Sequence, residues 1–301
     1  MDALSVILVP VNHLSPTLNT LDVAMLLCYQ QRTTIHLVCI LDPDRMEHSP
    51  VYGLDESIGI ETEKIQTLAT RMAQKYQINC TGSCRMGPTI DELVAAANEI
   101  SADLVIMDTH IGSDTRAFRL NSDAYNVLKA GPCPVLTVPD QQRWTSFRHI
   151  LFPVRPVTGA LNKYEFARMI SVNNDAQLTV LAMAAPDEVI SIRELQDELL
   201  TLNSKLNQDE VKHTVLFHPT DQIMETVLEK AAELTADLLI ITAGLGTTPS
   251  NFHIGPFSQQ IIHNARVPVL SIRPDIHAEQ PKSTPFWKYG LSDPGLTTLG
   301  F

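Results

Sequence analysis

The sequence predicts an α/β protein made of two tandem, doubly wound, five-stranded parallel-sheet modules followed by an extended tail. The first observation behind this is an internal repeat. Residues 103–138, DLVIMDTHIGSDTRAFRLNSDAYNVLKAGPCPVLTV, align without a gap on residues 237–272, DLLIITAGLGTTPSNFHIGPFSQQIIHNARVPVLSI. Asp103 falls on Asp237, Asn121 on Gly255, Pro134 on Pro268 and Val135-Leu136 on Val269-Leu270. The second is that the module starts also match, SVILVPVNH at 5–13 against RHILFPVRP at 148–156, so a whole unit is repeated. The third is that β-branched apolar runs alternate with helical patterns throughout both copies. That alternation calls for right-handed crossovers and a parallel sheet covered on both faces.

A chain of 301 residues suits two domains. Each copy, of roughly 140 residues, can bury about two-thirds of its unfolded surface in its own core. The first domain is assigned to 1–140, the second to 147–274 and the tail to 275–301. The boundary falls in PDQQRWTSFRH, 139–149, which is polar and proline-led.

In the first copy VILVPV (6–11) is a continuous apolar run, as a strand buried on both faces requires. Residues 18–32 carry helical periodicity, and TIHLVCIL (34–41) is the next strand. Residues 42–60 read as a loop longer than the second copy carries there. A helix follows at 61–76, then a strand near INCTGSCRM (78–86). The helix TIDELVAAANEI starts at Thr89, ahead of Asp91 and Glu92, whose carboxylates suit the positive end of the macrodipole. The strand DLVIMD, the helix SDAYNVLKA and the strand PVLTV complete the copy. The second copy repeats the order with ILFPV, KYEFARMI, QLTVLAMA, a helix through 188–206, HTVLFH, IMETVLEKAAEL, DLLIITA, SQQIIHNA and PVLSI.

Formal net charge is −12, and no stripe of clustered Lys and Arg exists, which argues against a nucleic-acid partner. No stretch reaches the roughly 18–20 apolar residues that span a bilayer. The start has no basic leader, so a cytoplasmic location is expected. Five cysteines, an odd count, stand at 28, 39, 80, 84 and 133. Cys28, Cys39 and Cys133 read as packed small hydrophobes, and Cys80 and Cys84 would meet only in a bent loop. The chain holds no G-x-S-x-G elbow, no G-x-x-x-x-G-K-[ST] loop and no H-E-x-x-H, so no catalytic residue is assigned. His213 and His218 flank one strand at odd spacing, which sends the rings apart and argues against a metal pair. Met25, Met72 and Met107 fall on buried faces.

The tail lacks helical periodicity, yet Phe286, Trp287, Tyr289, Leu291, Leu296, Leu299 and Phe301 are too apolar for plain disorder. Two readings stay open: it docks on its own domain, or residues 276–301 insert into a protein partner or a second subunit.

Several motifs carry a resemblance. They are V-P-V at the first start, D-L-x-I near the fourth strand, a loop before Asn121-Ser122, and the endings AGPCPVLTV and ARVPVLSI. Together they resemble the universal stress protein family over about 3–139 and 147–273. The resemblance implies an adenine nucleotide alpha hydrolase-like, flavodoxin-like domain whose fifth strand pairs across a two-fold interface. In a tandem chain it implies that the two copies supply that pair to each other as an intramolecular pseudo-dimer, with a homodimer as the other assembly.

Members that bind ATP carry G-x-x-G, nine residues and G-(S/T), so that backbone amides approach phosphates. On this chain the first copy reads Asp108-Thr109-His110-Ile111, then Asn121-Ser122, with Gly112 one place late and Arg116 and Arg119 nearby. The carboxylate of Asp108 opposes a phosphate, at about 1 kcal/mol for charges 4 Å apart in water. The second copy reads Thr242-Ala243-Gly244-Leu245-Gly246, then Gly255-Pro256, and Pro256 has no N–H to donate. The acidic residue that follows V-P-V in the family is Asn12 after Val11 and Arg155 after Val154. Neither site is intact, and the first keeps more of it in Asn12, Asn121 and Ser122. The expectation is therefore a non-enzymatic stress-response or regulatory protein. It would hold ATP or AMP in a degraded pocket, with no metal beyond the accompanying Mg. The alternatives are an adaptor acting through its tail and a weak ATPase.

Overall fold

The structure, a computed structural model, describes residues 4–11, 18–28, 33–43, 54–108, 123–139, 144–157, 159–244 and 254–274. The first half runs β1 (Val6–Pro10), α1 (Leu18–Leu27), β2 (Thr34–Leu41), α2 (Leu54–Tyr76), β3 (Asn79–Met86), α3 (Thr89–Glu99), β4 (Leu104–Asp108), α4 (Asp123–Ala130) and β5 (Val135–Val138). The second runs β6 (His149–Val154), α5 (Tyr164–Asn174), β7 (Gln177–Ala184), α6 (Val189–Gln208), β8 (His213–Pro219), α7 (Ile223–Glu233), β9 (Leu238–Thr242), α8 (Pro256–Asn264) and β10 (Val269–Ile272).

All ten strands form one sheet, ordered β3-β2-β1-β4-β5-β10-β9-β6-β7-β8. Each half is parallel, and the first strand of each lies between its second and its fourth. The halves meet where β10 runs antiparallel to β5, with Leu270 opposite Leu136 and Val269 opposite Thr137. Two modules joined at their edge strands thus make a single continuous sheet rather than two separate ones.

Alternation along the strands sends side chains to two layers. Ile7, Ile35, Leu104, Ile150, Leu178 and Leu238 pack with α1, α2, α5 and α6 on one face. Leu8, Val105, Leu151, Leu181 and Leu239 pack with α3, α4, α7 and α8 on the other. Both layers draw residues from both halves of the chain.

The aligned residues Asp103 and Asp237 have the same task. Asp103 Oδ2 accepts from the amides of Ser5 (2.6 Å) and Val6 (3.0 Å), fixing the start of β1 beside β4. Asp237 accepts from the amides of Arg148 (2.6 Å) and His149 (3.1 Å) at the start of β6.

Two expectations need correction, the start of α2 and the polarity of the inter-module segment. The helix assigned to 61–76 begins at Leu54, inside the segment read as a loop, because Ile58, Ile65, Leu68, Ala69 and Met72 continue one apolar stripe. The start of α3 is as expected, at Thr89 with Asp91 and Glu92 in the first turn, and the Thr89 amide and hydroxyl both donate to Asp42 Oδ2 at 2.8 Å, so a further carboxylate at this helix start comes from the end of β2. The inter-module segment is polar only in part, since Trp144 and Phe147 are buried in the core shared by both halves. Cys80 and Cys84 do not meet, in keeping with the strand read there: both sit in β3, four residues and about 13 Å apart.

Candidate functional site

In a sheet of this winding, ligands bind beyond the carboxyl ends of the strands, at the point where the strand order reverses. In the second half that point lies between β6 and β9. Its walls are Pro153, Arg155, Val157, Ala160, Lys163, Ile241, Thr242 and Phe257. Among the described residues the cavity left between them is about 10 Å³, the size for about one water.

The occupant is the chain itself. After β6 the backbone turns at Gly159, whose φ of +74° favours glycine, and brings Lys163 to the amino end of α5. Lys163 is 2% exposed. Its Nζ donates to the Pro153 carbonyl at 2.6 Å and to Thr242 Oγ1 at 3.3 Å, and lies 4.6 Å from the centre of the Phe152 ring. The Thr242 hydroxyl donates onward to the Ala160 carbonyl at 3.2 Å. Burial, with the nearby Arg155 charge, pulls the Lys163 pKa down to about 7, against the opposing pull of Glu198. Burial likewise raises the Glu198 carboxyl above its usual range, and Glu194 adds to it.

Arg155 closes the opposite wall. Its guanidinium stacks 4.1 Å above the Phe257 ring, and burial lowers its pKa. Gly244 holds a φ of +150°, which favours glycine, and buried Gly255 caps α8 with Pro256 as the next residue. Buried Ser258 donates to the Thr242 carbonyl at 3.4 Å. The structure therefore brings Val154, Arg155, Thr242, Gly244 and Gly255 to one strand end, with the Lys163 and Arg155 side chains packed beside them.

In the first half, buried Val11 follows β1, its amide donating to the Val38 carbonyl at 2.9 Å, and half-buried Asp108 ends β4. Asn12, His110, Gly112, Asn121, Ser122 and Gly246 lie outside the described residues, as do Arg116, Arg119 and the whole tail. Lys163 is the residue that sequence reasoning missed. Its signal was present: positions 163, 166, 167 and 170 share one helical face, and Phe166, Ala167 and Ile170 are core.

Residues 4–139 match the model of the universal stress protein family. The amino-terminal part of the chain is therefore similar to that family. Over the longer span the fold is similar to that of three solved structures. A universal stress protein from Archaeoglobus fulgidus DSM 4304 has 16% identity and a TM-score of 0.68, over 90% of this chain and 98% of its own. A candidate universal stress protein from Pseudomonas aeruginosa UCBPP-PA14 has 17% identity and a TM-score of 0.66, covering 91% and 95%. A functionally unknown protein from Pseudomonas aeruginosa PAO1 has 16% identity and a TM-score of 0.65, covering 91% and 94%. No curated protein matches the chain. Among the described residues no helix is long and apolar enough to cross a membrane.

Proposed function

We propose that the carboxyl-terminal half, 147–274, is a second universal stress protein domain, and that the two domains form an internal pseudo-dimer through β5 and β10. The whole is a cytoplasmic, non-enzymatic stress-response regulator. Its capacity for ATP or AMP, with the accompanying magnesium, resides in the first domain alone. The observation that supports this division is Lys163, whose ammonium and neighbouring side chains leave only about 10 Å³ at the second switch point. A pocket so filled cannot admit a nucleotide without unburying a lysine and an arginine.

Titration calorimetry of the purified chain with ATP and with AMP tests the reading. One molecule is expected per chain, and Asn12→Ala with Ser122→Ala is expected to abolish the heat. Two molecules per chain, or heat that survives this double substitution and disappears in Arg155→Ala, would refute it. The presence of Asp108 at the first loop favours a second reading, a ligand-free adaptor working through 276–301. That reading gains if no heat is seen and removal of 276–301 abolishes complex formation in a pull-down.

A further inference from the structure

We infer that Cys39 and Cys84 form a peroxide-responsive dithiol that closes into a disulfide between β2 and β3. The two residues are direct partners in the parallel register of these strands, and both belong to the layer covered by α1 and α2. Both are free thiols. Neighbouring strands lie about 4.8 Å apart, inside the Cα separation of roughly 4.4–6.8 Å that a disulfide spans. The register sets the two side chains next to each other on the same face of the strand pair.

Environment assigns the roles. The Cys39 hydrogen bond, helped by the Thr62 hydroxyl, holds Cys84 below the usual thiol range, against burial and the Glu61 charge. Cys39 is raised, first by that same bond and then by its burial at 2% exposure. Burial raises Cys28 to about 12, Cys80 to about 11 and Cys133 to about 12, so these three thiols stay protonated and slow. Cys84 is also the better reached of the pair, half-buried on β3, the outermost strand of the sheet.

The chemistry needs a hydroperoxide as oxidant. The Cys84 thiolate attacks one peroxide oxygen, the O–O bond breaks, and Cys84 becomes a sulfenic acid, while the departing oxygen takes up the proton the Cys84 thiol lost on ionising and leaves as water (for hydrogen peroxide) or an alcohol. The Cys39 sulfur then attacks the Cys84 sulfur, an S–S bond forms, the S–O bond breaks and a second water leaves with the Cys39 proton. Two thiols are oxidised and one peroxide reduced. Side chains opposite each other on parallel strands stand near 4.8 Å, wider than the roughly 3.5–4.5 Å between Cβ atoms in a relaxed disulfide. Closure therefore draws the edge strand inward, and the strained bond is easily reduced again, as a reversible switch requires.

The test treats the full native chain with hydrogen peroxide, blocks remaining thiols with iodoacetamide, and maps tryptic peptides by mass spectrometry. The expected product joins peptide 33–45 to peptide 76–85, with fragmentation placing the bond at Cys84, and dithiothreitol reverses it. The link is expected to persist in Cys80→Ser and Cys28→Ser and to vanish in Cys84→Ser. Because the mapping uses the unaltered protein, it stands even if Cys39→Ala fails to fold. Cys84 advancing to sulfinic acid without a link to Cys39, a bond placed at Cys80 instead, or both thiols remaining open to alkylation would each overturn the inference.

Discussion

Lys163 Nζ lies 3.3 Å from Thr242 Oγ1, which ties the turn before α5 to the carboxyl end of β9 at the second switch point. When Ile7 is set on Ile150, the residue aligned with Lys163 is Thr20, and the residue aligned with Thr242 in the internal repeat is Asp108. The first copy thus carries a hydroxyl and a carboxylate where the second carries an ammonium and a hydroxyl. At these aligned positions the two strand ends have diverged in sign of charge.

Lys163 makes the stability of the chain depend on pH in a definite direction. Its pKa falls from 10.5 to about 7 on folding, so above pH 7 the unfolded chain binds more protons than the folded one. The cost of burying the charge is fully present below pH 7 and is relieved as pH rises toward 10.5. Urea unfolding across this window should show stability rising by up to about 1.4 kcal/mol per pH unit relative to Lys163→Met. Parallel pH profiles for the two proteins would count against the assignment.

The paired carboxylates Asp103 and Asp237 predict matched losses. Replacing either with Ala leaves two strand-start amides without their acceptor and should cost about 1–3 kcal/mol. The sites are far apart in the sheet, so the double variant should lose the sum within about 0.5 kcal/mol. Chemical denaturation of the three variants provides the check.

Leu136 and Leu270 face each other across the antiparallel seam and are both fully buried. Each Leu→Ala change should cost about 2–5 kcal/mol, with a coupling of roughly 0.5–3 kcal/mol in the double variant because the cavities merge. Since both core layers cross the seam, calorimetry should show one unfolding transition for the parent protein. Two resolved transitions would mean that the halves melt independently.

The segment between the modules is predicted to be structural. Phe147 is fully buried, so Phe147→Ala should cost about 3–5 kcal/mol, whereas Ser146→Ala on the same segment should stay within about 0.5 kcal/mol.

Strand positions were legible because a strand covered on both faces must be apolar throughout, and runs such as Ile35–Leu41 and Leu178–Ala184 have few other uses. The early start of α2 was not, since Pro50, Gly53 and Gly59 broke the pattern that Ile58 and Ile65 resume. Trp144 and Phe147 escaped notice because isolated aromatics in a polar stretch have no period to reveal a buried face. The Cys39–Cys84 contact was equally hidden, for strand register places residues 45 positions apart side by side and leaves no local trace. Arg155 was flagged by its place after Val154, but its stacking on Phe257 depends on where α8 begins. Lys163 was overlooked because a lysine beside a helix start is usually read as solvated.

A symmetric pair of separate subunits must alter both ligand pockets whenever it alters one. The antiparallel join of β5 to β10 within a single polypeptide lifts that obligation: each member always meets the same non-identical mate, at a local concentration that dilution does not change. One half is then free to fill its own strand end, as the lysine bonded to Pro153 and Thr242 does, while its neighbour keeps an independent history.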